Sequence, residues 1–215
     1  MASKKLIENI LEKANDKNFK NDYAPIALRW FKRFISSNYK NVPRNIIRRS
    51  TSAREVVRPI RGGMYTFNYV PKHKDILPYY DSWPLIIPYR HFSGGKIHAF
   101  NLHYLPPKLR IKLLWRLSAL ITTEDISDGQ QSPEGDNPEY YDFGNLNIRW
   151  DFTGRGGLKL IRRCTRTYII NNIRGKLIEF PTQTWPVVSF LPIARWRKEK
   201  DPRKIWKDNK RRSKY

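Results

Sequence analysis

Apolar positions along the chain change period, and the changes mark its elements. Over residues 3–14, Leu6, Ile7, Ile10, Leu11 and Ala14 fall on one helical stripe, with Ser3 placed to cap it. After a break at "ANDKNFKND", a second helical pattern runs from Tyr23 to Ser36, with Ile26, Leu28, Trp30, Phe31, Phe34 and Ile35 apolar. Residues 37–63 hold two prolines, seven basic residues and no sustained period, which predicts an extended basic arm. At Gly62 and Gly63 the period drops to two. Tyr65, Phe67 and Tyr69 alternate with Met64, Thr66 and Asn68, which predicts a strand. "WPLIIPYRHF" predicts a second strand, whose Pro84 and Pro88 suit a sheet edge. After the turn at Ser93–Gly95, "KIHAFNLHYL" predicts a third.

These strands predict a small, twisted, three-stranded antiparallel unit, SH3-like or a partial barrel, which needs a packing partner to be stable. "PPKLRIKLLWRLSALI" predicts the partner. It is a helix opened by proline, with Leu109, Leu113, Leu117, Leu120 and Ile121 on one stripe and Lys108, Lys112 and Arg116 on another. "GLKLIRRCTRTYIINNIRG" predicts a further helix ended by Gly175. There Leu158, Ile161, Tyr168 and Ile169 fall on one side, and Lys159, Arg162, Arg163 and Arg166 on another. "KLIEFPTQTWPVVSFLP" supplies one or two short strands. The expected class is α+β: a small antiparallel sheet packed with two amphipathic helices, plus N-terminal helices and basic arms. Three segments follow: residues 1–61, a core over 62–194 with a loop insert at 124–151, and a tail over 195–215.

Charge adds what periodicity does not show. The 215 residues carry 42 Lys and Arg against 19 Asp and Glu, for a net +23. A balance that far from neutral points to a polyanionic partner, nucleic acid first and an anionic membrane surface only second. The insert, rich in Gly, Pro, Asn and Asp, has eight acids and one base, so the rest of the chain carries +30. Phosphate contacts are expected from Lys72, Lys74, Lys108, Lys112, Arg116, Lys159, Arg162, Arg163, Arg166, Arg48, Arg49, Arg211 and Arg212. The aromatics of the basic tail, Trp196, Trp206 and Tyr215, are candidate anchors for a protein partner. Cys164 is the lone cysteine, which excludes an internal disulfide and a Cys-based zinc site and suits a reducing compartment. No apolar run is long enough to span a membrane, and the charged N-terminal helix is not expected to be a signal or transit segment.

The stretch "PKHKDILPYYDSWPLIIPY", residues 71–89, is the densest in groups that could do chemistry. A phosphate-binding GxxxxGK[ST] loop is absent, and "GRGG" at 154–157 is too short for a dinucleotide fingerprint, though its N–H groups could hold an anion. His73, His91, His98 and His103 show no metal-ligand spacing. Asp75 and Asp81 lack the additional carboxylates that a two-metal nuclease needs. The stretch therefore reads as a wall of tyrosines and Trp83 with a basic lip, and Asp81 as the holder of a turn or the partner of a base. No catalytic residue, metal ligand or cofactor is expected.

"MYTFNYVPKHKDILPYYDSWPLIIPY", a glycine-containing turn and "AFNLHYLPPKLRIKLL" together resemble the DNA end protector (head completion) proteins of contractile-tailed bacteriophages. The ending "VVSFLPIARWRK" before "IWKDNKR" is similar to that family's C-terminal pattern. The resemblance spans residues 62–121 well and 157–210 loosely. It implies a structural virion protein at the head–tail junction that completes the head, binds the end of packaged double-stranded DNA and shields it from host exonuclease. Its further partners would be portal, neck or tail proteins. Two other readings stay open: a neck or tail adaptor that binds rings of virion protein, and a metal-dependent nuclease or a component of a ribosome-like particle.

Overall fold

The computed structural model describes residues 6–19, 22–48, 53–92, 94–118 and 155–212. The insert at 124–151, together with Arg49, Leu120, Ile121 and Tyr215, lies outside them. In chain order the elements are α1 (Leu6–Asn15), α2 (Pro25–Asn38), α3 (Arg44–Arg48), β1 (Arg54–Val56), β2 (Met64–Tyr69), β3 (Tyr80–Asp81), β4 (Leu85–Phe92) and β5 (Lys96–Asn101). They continue with α4 (Pro107–Ser118), α5 (Arg155–Cys164), β6 (Thr165–Ile169), β7 (Ile173–Phe180), α6 (Trp185–Val188), β8 (Trp196–Arg197) and α7 (Pro202–Arg212). The class is α+β, as the periodicity predicts. Six strands form an antiparallel sheet in the order β1-β7-β2-β4-β5-β6, and β3 pairs with β8 in a second ladder.

The sheet is curled, and chain length forces the curl. β6 and β7 are joined by a single 3-10 turn, Ile170–Asn172, yet β2, β4 and β5 lie between them in the sheet. Strands stand about 4.8 Å apart, so in a flat sheet this pair would be roughly 19 Å apart. The link reaches at most ~14 Å. Closing the gap, Ile169 N–H donates to Tyr69 Oη at 3.3 Å and Val70 N–H to the Asn172 carbonyl at 3.1 Å.

Curling gives the sheet two buried faces. Inside lie Tyr65, Phe67, Tyr69, Ile86, Ile97, Ala99, Tyr168 and Leu177, with the Tyr168 ring edge-on to Phe67 and Tyr69. Outside, Met64, Leu85, Ile87, Phe100, Ile178 and Phe180 pack in one core with Ile7 and Ile10 of α1, Phe31 and Ile35 of α2, Leu113 and Leu117 of α4, and Trp185 of α6. Each such side chain removed from water contributes about 1.5–3 kcal/mol. The two N-terminal helices thus share the core of the sheet. Gly63 is needed where the chain enters β2, because a Cβ there would stand 2.3 Å from Tyr65 Oη. That hydroxyl accepts from Ile60 N–H and donates to the buried Glu179.

Five expectations change. The three expected strands are β2, β4 and β5, but they are the middle of a six-stranded sheet to which β1, β7 and β6 add, because residues far along the chain pair with their edges. The basic arm is not extended throughout: α3 forms within it, and β1 pairs with β7 at the sheet edge, helped by the Arg54–Glu179 ion pair. The helix expected to run to Gly175 stops at Cys164. The β-branched and aromatic run Thr165–Ile170 turns to strand, because a strand offers these stiff side chains a pleated face to pack on. Gly175, at φ +79°, therefore does not cap a helix. It lies in β7 where the register with β2 shifts. Pro88 is not on an edge strand: β4 lies between β2 and β5. Pro88 sits beyond the last β2 pair and beside a register shift against β5, where a missing N–H is tolerated.

Candidate nucleic-acid interface

Residues 71–81 fold back along the sheet. Turns over 72–76 follow β2, and Lys198 Nζ pins them by donating to the carbonyls of Asp75 and Leu77 at 2.6 and 2.8 Å. Lys72, Lys74 and Ile76 are exposed, Ile76 at 81%. The chain then enters β3, where Asp81 is 3% exposed. One Asp81 oxygen accepts from the N–H groups of Trp83 and Arg195, both at 2.9 Å, and the other bonds Nδ1 of the buried His103. Burial holds the His103 pKa below its ordinary value despite the facing carboxylate, so the imidazole is neutral and donates. No hydroxyl or thiol among the described residues bonds its Nε2. Asp81 thus ties β3, β8 and the Leu102–Tyr104 turn together, as the wall reading has it.

α7 closes the other side. Trp206 Nε1 donates to the His103 carbonyl at 2.9 Å. Asn209, 4% exposed, donates to the carbonyls of Tyr104 and Arg163 and accepts from Arg166 Nη2 at 2.8 Å. Arg166 lies on β6, not on the α5 stripe, and its guanidinium sits 3.7 Å above the Tyr104 ring. On the same side Arg212 pairs with Asp208 at 3.0 Å and stands over Tyr79, whose hydroxyl also donates to Asp208.

Between these walls is a cleft of about 430 Å³, lined by Tyr79, Tyr104, Tyr168, Arg162, Arg166 and Arg212 among others. Burial pushes the phenols of Tyr79, Tyr104 and Tyr168 above their usual range, so they stay protonated. Asp81 is the acid in the lining, and its oxygens are engaged as above. Arg162 is exposed and makes no hydrogen bond or ion pair among the described residues. A concave site with three arginines and tyrosine walls suits a ligand with an anionic group and a flat ring.

The structure thus gathers Arg162, Arg166 and Arg212 in one place, with the Arg163 carbonyl behind them. The other expected phosphate contacts lie elsewhere. Lys108 and Lys112 are exposed and Arg116 half-buried on α4. Arg48 is exposed and paired with Glu55, and Arg211 is exposed on α7. The side chain of Lys159 is outside the described part. Trp196 packs edge-on against Tyr104 and Tyr79, so it and Trp206 serve contacts within the chain. Motif reading missed Tyr104, Tyr168 and Asn209, and took the Tyr79–Tyr80 pair only as wall. "LPYY" and "NLHYL" show the tyrosines, but nothing in their spacing shows that they meet. Among the described residues no group of three or more His, Cys, Asp or Glu could hold a metal ion, and no helix is long and apolar enough to cross a membrane.

No curated protein and no solved structure matches this chain. Among protein families, residues 9–209 match the one described as phage T4 terminal DNA protecting protein, a span that takes in the N-terminal helices and the insert as well as the motifs above.

Proposed function

The chain belongs to that family of phage DNA-protecting proteins, and from this premise we propose that it is a virion protein at the head–tail junction. There it binds the end of the packaged double-stranded DNA, completes the head and shields the terminus from host exonuclease. The family match carries the reading, and the net charge of +23 supports it. Lysines and arginines contact phosphates without reading bases, so affinity falls steeply with salt. Portal, neck or tail proteins are the protein partners in this reading.

The test is binding of the purified chain to linear and circular duplexes of equal length across a salt series, with and without magnesium, followed by an exonuclease challenge. Preference for the linear form with intact, protected product is expected. Equal binding to both forms removes the end-specific part. Magnesium-dependent cleavage replaces the structural role with a nuclease. An adaptor role is the second reading, and it draws on Trp115, 49% exposed on α4. Co-assembly with neck proteins in the absence of DNA binding favours it.

A further inference from the structure

We propose that the cleft between the 71–81 segment, β6, α5 and α7 seats the terminal nucleotide of one DNA strand, its phosphate on Arg162 and Arg166 and its base against the tyrosines. The inference rests on the DNA-end reading above and assigns it to one site. Three observations carry it. The first is size: about 430 Å³ lies within the range of small-molecule pockets, whereas a double helix, whose major groove alone is about 12 Å wide, does not enter.

The second is the chemistry of the lining. Arg166 is already oriented by Asn209 and the Tyr104 ring, and its two described hydrogen bonds leave donors of the five-donor guanidinium for a phosphate. Arg162 adds a second cation without a partner among the described residues. The half-buried Tyr79 and Tyr80 leave ring surface in the lining, the kind of aromatic surface that sequence-tolerant sites for unstacked nucleotides use.

The third is the lip. Ile76 projects almost fully exposed between Lys74 and Leu77, and Leu77 lines the cleft. An apolar side chain there has a counterpart at a duplex end, where the last base pair offers a flat unstacked face. Inside a duplex the bases are paired and stacked, and a nucleotide reaches such a pocket only after costly extrusion. The same cleft therefore accepts an end and rejects an interior.

The experiment uses the full chain and three probes of equal length. One is a hairpin duplex with an open end bearing a 5′-phosphate, one the same hairpin with a 5′-hydroxyl, and one a covalently closed dumbbell. We expect the wild type to prefer the open ends, and Arg162→Ala to weaken open-end binding about tenfold while leaving the dumbbell almost unchanged. Arg162→Lys, which keeps the charge and loses the planar fork, should fall between them. Weaker binding of the hydroxyl probe assigns the bound group as the terminal monoester. Equal binding of the two hairpins assigns it as the first internucleotide phosphate. Either result supports the seat if Arg162→Ala removes the open-end preference. A folded Arg162→Ala protein that keeps the full preference overturns the cleft and leaves end binding standing. A wild type with no open-end preference overturns the end reading and this inference with it.

Discussion

The basic residues of α4 and those of the α5–β6 segment look alike in the sequence and do different things in the fold. Lys108, Lys112 and Arg116 repeat every four residues, and α4 exposes Lys108 and Lys112 while Arg116 is half-buried. Periodicity alone places such a stripe, and a stripe on one convex helix offers separate charges to a passing phosphate backbone. Arg162 and Arg166 show the same spacing of four, but the helix stops between them. Arg162 stays on a helix, Arg166 moves to a strand, and both meet Arg212 from α7, far along the chain. A concave site needs groups from several directions, and one helix cannot supply them. In the reading proposed above, general affinity for DNA belongs to features like α4, and discrimination to the cleft.

The sharpest way to break this contrast is Asp81→Ala, which leaves His103 and two N–H groups unpaired in the wall of the cleft. A loss of about 3–5 kcal/mol is expected by denaturant unfolding, since His103 and Trp83 are nearly inaccessible to water. Asn209→Ala comes next. It removes three hydrogen bonds and the orienting partner of Arg166, for roughly 2–3 kcal/mol. Open-end binding should weaken with it, measured by the same duplex titration, while the salt dependence contributed by α4 persists.

Acidification gives a third test. The folded-state pKa of His103 lies below the ordinary 6.5, because burial outweighs Asp81 while Arg110 and Arg195 oppose its charge further. The unfolded chain therefore takes up the proton first. Stability is complete above pH 6.5 and falls as the pH drops below it, by up to about 1.4 kcal/mol per pH unit. Urea midpoints between pH 7.5 and 5.5 check this, and His103→Gln should flatten the slope. The smallest effect is that of Lys108→Ala combined with Lys112→Ala. Binding to open and closed duplexes should drop equally, and the salt slope should shrink by about 2, roughly one for each phosphate no longer neutralised by a lysine. A selective loss at open ends would move the end-binding site from the cleft to α4.

Much of the fold was legible. The stripes of α1 and α2, the alternation of β2 and the stripe of α4 each report a local period that burial then uses. Errors came where local signals competed. Helical spacing of apolar residues extends through Tyr168 and Ile169, but a run with Thr165, Thr167, Tyr168 and Ile169 gains more from a strand that places Tyr168 inside the curl. Of the cleft, the sequence showed the arginines and the tyrosine pair. It did not show Asn209 or Tyr104 as members, since both act through tertiary contacts.

By itself the sequence determined the α+β class, the strongly cationic character and the lack of an internal disulfide, because these depend on composition and on periods shorter than one element. Through a long, unusual motif it also carried the resemblance to phage DNA end protectors. The tertiary structure decided that the sheet has six strands and curls, that the N-terminal helices complete its core while the C-terminal helix closes the cleft, and that three arginines converge on tyrosines. Each of these requires residues far apart in the chain to meet, and which partners meet is settled by the burial and closure of the whole fold, not by any local pattern.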